Sequence, residues 1–139
     1  MRHIIFHVEN DAYALPLAAV REVVMPPTVW SKVPRAPAAV RGVMNLRGRV
    51  VTVVELRRLL LGTDSSTPHH KIVLLDRGRR DLGLLVTEVD GIESIERILQ
   101  APGHTVPRVR GSARVNGLVL TVLDADEIDR AVAALFVSS

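Results

Sequence analysis

The side chains best suited to metal chemistry in this chain of 139 residues are five histidines, His3, His7, His69, His70 and His104. A protein metal site needs three or four such donors converging on one point. His3 and His7 have the spacing of one helix face, yet the alternating pattern around them reads as a strand. His69 and His70 are adjacent in a polar stretch, where both cannot readily turn to one ion, and no carboxylate run lies beside them. No metal and no cofactor is expected. The absence of cysteine removes disulfides, thiolate sites and a cysteine nucleophile.

Other catalytic patterns fail on their chemistry. The run from Gly78 to Gly83 has the glycine spacing of a phosphate loop, but Leu84-Leu85 stands where that loop needs Lys-Ser/Thr. Without the lysine, nothing reaches the phosphate charge. Neither a Gly-x-Gly-x-x-Gly fingerprint nor a Gly-x-Ser-x-Gly elbow occurs. The neighbouring carboxylates Glu88 and Asp90, and Glu93 and Glu96, read as solvated strand and turn residues. Nothing in the sequence supports catalysis, and a non-enzymatic role is expected.

Charge points to binding of some kind. The net charge is +3, and of the 18 basic residues all but Lys32 and Lys71 are arginine. The acidic residues interleave with them, as in Asp76-Arg77-Gly78-Arg79-Arg80-Asp81, which favours mixed protein interfaces over a one-signed nucleic-acid stripe. Small barrels that bind nucleic acid stack bases on aromatics. Here the aromatic residues are Phe6, Tyr13, Trp30 and Phe136, and both phenylalanines read as core. A nucleic-acid-binding barrel remains the alternative function, beside a self-assembling structural module. No apolar run approaches a membrane span, and the chain begins without a leader pattern, so a cytoplasmic location without membrane insertion is expected.

What must position these residues is a repeat. At an offset of 69, Val40, Arg41, Gly42, Gly48, Val50, Thr52 and Val53 recur as Val109, Arg110, Gly111, Gly117, Val119, Thr121 and Val122. More weakly, Ile4-Ile5-Phe6 falls on Val73-Leu74-Leu75 and Val20 on Val89. Each copy contains a hairpin, a connecting stretch and a second hairpin. The first hairpin pairs His3–Val8 with a return strand from Tyr13 to Leu17. The second pairs a strand ending at Leu46 with one starting at Arg49, and its turn is Arg47-Gly48. Because arginine is more comfortable at negative φ, a type I turn with a glycine bulge is expected there. The second copy turns at Arg77-Gly78 and at Asn116-Gly117.

Two helices are expected. Residues 55–61 end at Gly62, and residues 124–136 open with a capping box of Asp124 and Glu127 and bury Ile128, Ala131, Val132 and Leu135. The fold class is therefore all-β with short helices, as two small barrels whose closure removes sheet edges. One domain spans 1–139, with halves of about 1–62 and 71–139 joined by a linker at 63–70. Four prolines between Pro26 and Pro37 make that stretch an exposed loop.

In order along the chain, the runs are Tyr13–Val24 (YALPLAAVREVV), Val33–Arg57 (VPRAPAAVRGVMNLRGRVVTVVELR) and Leu82–Ile92 (LGLLVTEVDGI). The whole sequence resembles the CheW family of chemotaxis coupling proteins, which implies that the two barrels are intertwined five-stranded SH3-like subdomains. The most specific portion is Pro34-x-x-Pro37 followed by Val40-x-Gly42-Val43-x-Asn45-Leu46-Arg47-Gly48. The resemblance implies a scaffold that binds the regulatory domain of a CheA-type histidine kinase and the cytoplasmic tip of methyl-accepting chemoreceptors, at arrays on the inner membrane. It carries protein-binding roles onto Arg47 and Asn45 of the turn, Gly42 at the start of the hairpin, and Val20, Glu22 and Val23 of the Val-x-Glu-Val segment. Val20 and Val23 are expected as an apolar patch beside Glu22. The chain departs from the family pattern at Thr52, where proline is usual, and at Glu55 and Thr87, where aspartate is usual.

Overall fold

A computed structural model describes residues 1–76, 81–100 and 106–137. The expected turn at Arg77-Gly78, and His104, lie outside them. Among these residues ten strands run in chain order: β1 (Arg2–Val8), β2 (Asp11–Pro16), β3 (Val20–Val24), β4 (Val40–Leu46), β5 (Arg49–Glu55), β6 (Lys71–Leu75), β7 (Leu82–Val86), β8 (Glu88–Ser94), β9 (Val109–Val115) and β10 (Leu118–Leu123). The α-helices α1 (Leu56–Leu61) and α2 (Ala125–Val137) follow β5 and β10, and a 3-10 turn at Leu17–Ala19 precedes β3.

The strands form two five-stranded sheets, ordered β8-β1-β2-β10-β9 and β3-β6-β7-β5-β4. Neither is made from one copy of the repeat. Each takes its first hairpin from one copy and its remaining three strands from the other. The pairing repeats with the sequence offset. Thr121 and Val122 lie parallel to Tyr13 and Ala14, and Thr52 and Val53 lie parallel to Leu82 and Gly83. The register shift between Val20 and Glu22 recurs between Val89 and Gly91. A duplicated unit whose copies exchange hairpins accounts for both sheets. The halves 1–62 and 71–139 are divisions of the sequence, and the sheets cross them.

Alternation then assigns the cores. One face of each sheet turns inward to a shared central core, with Ile4, Phe6, Val8, Tyr13 and Leu15 from one sheet against Val54, Val73, Leu75, Leu82 and Leu84 from the other. Leu56, Leu59, Ile128 and Val132 of the helices close it. The opposite faces curl around smaller cores: Ile5, Ala14, Leu120 and Val122 in one sheet, and Val51, Val53, Ile72 and Leu74 in the other. Both faces of the inner strands are thus buried, which is why their sequences read as apolar runs. Phe6 is buried as expected, whereas Phe136, in the last turn of α2, is 38% exposed.

The expected barrel closure is not made by hydrogen bonds. The strand orders are linear, and β3 and β4 share no ladder. The sheet still curls far enough for Val24 of β3 and Met44 and Leu46 of β4, at its two ends, to pack on one small core. The outer edges of β4 and β9 are covered by their own preceding loops, through bridges Ser31–Val43 and Leu99–Ser112. Those loops explain the repeated glycines. A Cβ on Gly42 would stand 2.9 Å from the Ser31 carbonyl oxygen, and one on Gly111 would overlap the Leu99 carbonyl oxygen.

Helix ends follow local chemistry. Gly62 ends α1 in the left-handed conformation at φ 75°, and its N–H donates to the Arg58 carbonyl. Asp124 caps α2, its Oδ1 accepting the Glu127 N–H at 3.1 Å. The Asp124 N–H donates to Arg108 rather than to Glu127, so only half of the expected box forms. At the equivalent position in the first copy, Glu55 makes no side-chain cap and its helix has six residues against thirteen. Asp124→Ala is expected to lower stability by about 1 kcal/mol, the ordinary value of a lost N-cap, measurable as a drop in urea midpoint at unchanged slope.

The linker is tied down. Glu9, in the β1–β2 turn, accepts from the Ser66 N–H at 2.6 Å and from the Ser66 and Ser65 hydroxyls. The Ser66 N–H is the first cause holding the Glu9 carboxyl below its usual range, with Arg57 adding to it.

Candidate functional site

Arg47 and Gly48 form a two-residue loop, since Leu46 pairs directly with Arg49. Both are left-handed, at φ 51° and 85°, as Asn116 and Gly117 are at 51° and 80°. This is the type I′ geometry, not the expected type I turn with a bulge. Strand twist explains the difference. A primed turn matches the right-handed twist of its flanking strands, whereas types I and II splay them. Arginine bears a strain of about 1–2 kcal/mol for that fit. Asn45 offsets part of it: its side-chain oxygen accepts the Gly48 N–H at 3.0 Å and caps the turn.

So held, Arg47 stands at the hairpin tip with its side chain 67% exposed. It forms an ion pair with Glu22 of β3. Because β3 and β4 are opposite ends of one sheet, this pair bridges the sheet across its open mouth. The structure thereby joins three of the residues singled out by sequence: Asn45 shapes the turn, the turn presents Arg47, and Arg47 meets Glu22.

The others are placed differently. The bulge in β3 at Arg21 pairs Val20 with Leu75, Glu22 with Leu74 and Val23 with Val73. Val20 and Val23 therefore face the central core, where both are half-buried, and Glu22 faces the other way. They do not form the expected patch beside Glu22. Two residues three apart on an even strand would point oppositely; the bulged residue restores them to one face and turns the glutamate away. Gly42 is buried beneath Ser31 and Trp30 and offers no surface. Its contribution is to admit the 26–37 loop against β4.

Sequence reasoning missed a neighbouring network. Asp81, immediately before β7, accepts from Arg21 at 3.0 Å and from Arg49 at 2.9 and 3.0 Å. Its side chain is 14% exposed, and the Arg21 hydrogen bond, followed by the Arg49 charge, keeps its carboxyl below the usual range. The three are far apart in sequence, and no spacing rule links them. The one available signal was Arg49, which flanks the turn.

The second copy has the same mouth with other chemistry. Gly91 stands where Glu22 does, Asn116 where Arg47 does, Leu118 where Arg49 does, and Asp90 where Arg21 does. No latch spans it. Instead a cavity of about 270 Å³ opens there, floored by Ile5 and Leu120, walled by Val115 and Leu118, and rimmed by Asp90 and Glu93. Asp90 is held by His7, whose Nδ1 lies 2.9 Å from both carboxylate oxygens. Among the described residues no helix is long and apolar enough to cross a membrane.

Residues 2–132 match a family model described as a CheW-like domain. The chemotaxis protein CheW of Rhizobium meliloti is 30% identical over 132 residues, covering 90% of this chain and 84% of that protein. The chemotaxis protein CheW of Thermotoga maritima is 27% identical over 128 residues, covering 88% and 83%. Among solved structures, the scaffolding protein TtCheW from Thermoanaerobacter tengcongensis shares the fold, with a TM-score of 0.78 over 90% of this chain and 84% of its own at 23% identity.

Proposed function

The chain belongs to the CheW-like domain family, and from that premise we propose that it is a non-enzymatic adaptor coupling chemoreceptors to a CheA-type histidine kinase. The observation that carries this reading is the difference between the two mouths. One duplicated scaffold presents a charged, latched surface at Arg47 and Glu22 and an open, apolar one with an acidic rim at Asp90 and Glu93. A protein that must hold two unlike partners at once needs two unlike surfaces at fixed spacing, and rigid elements hold such surfaces better than loops do.

In this reading Arg47 contacts a partner directly. A guanidinium at a hairpin tip presents several donors that Glu22 does not exhaust. Glu22 and Asn45 orient it, and Gly42 positions the flanking loop. Val20 and Val23 lend the exposed part of their surface on edge strand β3, where an amphipathic receptor tip could lay its apolar face. The adaptor would work in the cytoplasm, recruited to receptor arrays at the inner membrane.

The test is a pull-down from native extract with the wild type and Arg47→Ala in parallel, partners being identified by mass spectrometry. A CheA-type kinase or chemoreceptor should be recovered by the wild type and lost with the variant. Folding stability should move by no more than about 0.5 kcal/mol, because the side chain is exposed and surface ion pairs contribute little. Exchanging the two charges, as Arg47→Glu with Glu22→Arg, rebuilds the pair but not the donor at the tip, and should not restore binding. Restoration would make the pair a structural latch; recovery of neither partner by the wild type would overturn the adaptor reading.

A further inference from the structure

Arg41 and Arg110 occupy the same position in the two copies, at the second residue of β4 and of β9. In the second copy the arginine is neutralised, its Nε lying 3.5 Å from the Asp124 carboxylate that caps α2. In the first copy Glu55 replaces that aspartate and forms no ion pair with Arg41 among the described residues, although the Arg41 charge still opposes the rise that burial gives the Glu55 carboxyl. The Arg41 guanidinium instead lies over the Trp30 ring, 5.0 Å from its centroid. Beside it opens a cavity of about 380 Å³ whose charged lining groups are Lys32, Arg35 and Arg41. All three are exposed, and none forms an ion pair among the described residues. Elsewhere the cations around Asp81, Glu9 and Glu22 are paired.

We propose that this cavity, between the 26–37 loop and β4, is a binding site for an acidic segment of a protein partner, with carboxylates meeting Lys32, Arg35 and Arg41. Three cations that form no ion pair among the described residues, converging on a concave surface, repel one another, and a multivalent anion relieves that repulsion. Carboxylates on a chain fit better than free phosphate for two reasons. Phosphate cradles are built largely from free backbone N–H groups. Here the Ala36 and Val40 N–H groups already donate to Val33 and Pro37, and Pro37 has none to offer. The rest of the wall is apolar, with Val33, Ala36, Pro37, Ala38 and Val40, which suits the aliphatic stems between carboxylates. The site is distinct from the Arg47 tip and does not depend on which partners bind there.

Trp30 is the single tryptophan of the chain, so its emission reports on this cavity. A capped peptide of alternating glutamate and alanine, titrated at low salt, should change Trp30 fluorescence saturably. The matched glutamine-alanine peptide should not. Lys32→Ala with Arg35→Ala leaves the Trp30–Arg41 stack in place and should weaken the glutamate peptide by about tenfold or more, given the usual value of hydrogen bonds to charged groups. Thermal melting of the double variant, expected to match the wild type, separates lost binding from lost folding. Equal binding of the glutamine peptide, or undiminished binding by a folded double variant, would overturn the proposal. So would inorganic phosphate giving the same saturation at equal charge, which would make this a phosphate site.

Discussion

Gly111→Ala is expected to be among the most damaging single substitutions in the chain, costing about 3 kcal/mol, the upper part of the usual range for overpacking. The added Cβ would overlap the Leu99 carbonyl oxygen and stand 2.8 Å from Ile98 Cγ2. The Leu99 backbone can yield only by breaking the two 2.8 Å hydrogen bonds it exchanges with Ser112, which cover the edge of β9. Either the loop lifts and bares the edge, or β9 shifts against β10. For a domain of this size the loss corresponds to a fall in melting temperature of roughly 10 °C. Gly42→Ala should act the same way but more mildly, by about 1–2 kcal/mol, since its nearest obstacle, the Ser31 oxygen, is 2.9 Å away. Thermal melts of the two variants side by side measure this ordering. A neutral Gly111→Ala would mean the loop does not lie on β9.

Those two glycines also show how much of the fold was legible. Their recurrence at a fixed offset is visible in the sequence because a close backbone approach tolerates no other residue. The helix stop at Gly62 and the helix start at Asp124 were legible for similar reasons, each being a local demand met by a narrow choice of residue types. Strand exchange was not. Apolar alternation says that β2 is a strand with a buried face, but not that its neighbour is β10, more than a hundred positions away. The closed barrels inferred from edge avoidance gave way to linear strand orders, in which the outer edges of β4 and β9 are covered by their preceding loops instead.

The candidate site divides along the same line. Asn45, Arg47 and Gly48 form a local motif, and their cooperation could be read from adjacent letters. Even there the turn type went against arginine's own preference, since the twist of two seven-residue strands outweighs one residue's φ. The Arg47–Glu22 contact is partly legible, because both residues were singled out, though nothing in their spacing of 25 announced a meeting. The Arg21–Asp81–Arg49 network depends wholly on tertiary placement. Val20 and Val23 were misdirected by a bulge, which shifts the parity of every residue beyond it.

Exchange of hairpins between copies leads to a larger expected effect. Cut within the linker, the fragments 1–62 and 71–139 should each fail to fold alone and should form an ordered complex when mixed. In the first fragment, β1 and β2 would lose β8 and β10, while β3 and β5 would lose β6 and β7. What remains is two hairpin-sized pieces with no common sheet, and an isolated two-stranded hairpin is marginal in water. The central core would also be halved, with Phe6, Tyr13 and Leu15 parted from Val73, Leu75 and Leu84. Mixing restores every ladder, at the cost of making an intramolecular association bimolecular. Far-UV circular dichroism and amide dispersion in NMR would read the outcome directly: disordered spectra apart, native-like spectra at equimolar mixture. A fragment that folded by itself would show that one copy is a complete unit and that the sheets do not depend on exchange. The expected result would mean that the charged mouth at Arg47 and the open mouth at Asp90 cannot fold separately. Their spacing, and with it the geometry between two partners, would then be a property of the single cooperative fold.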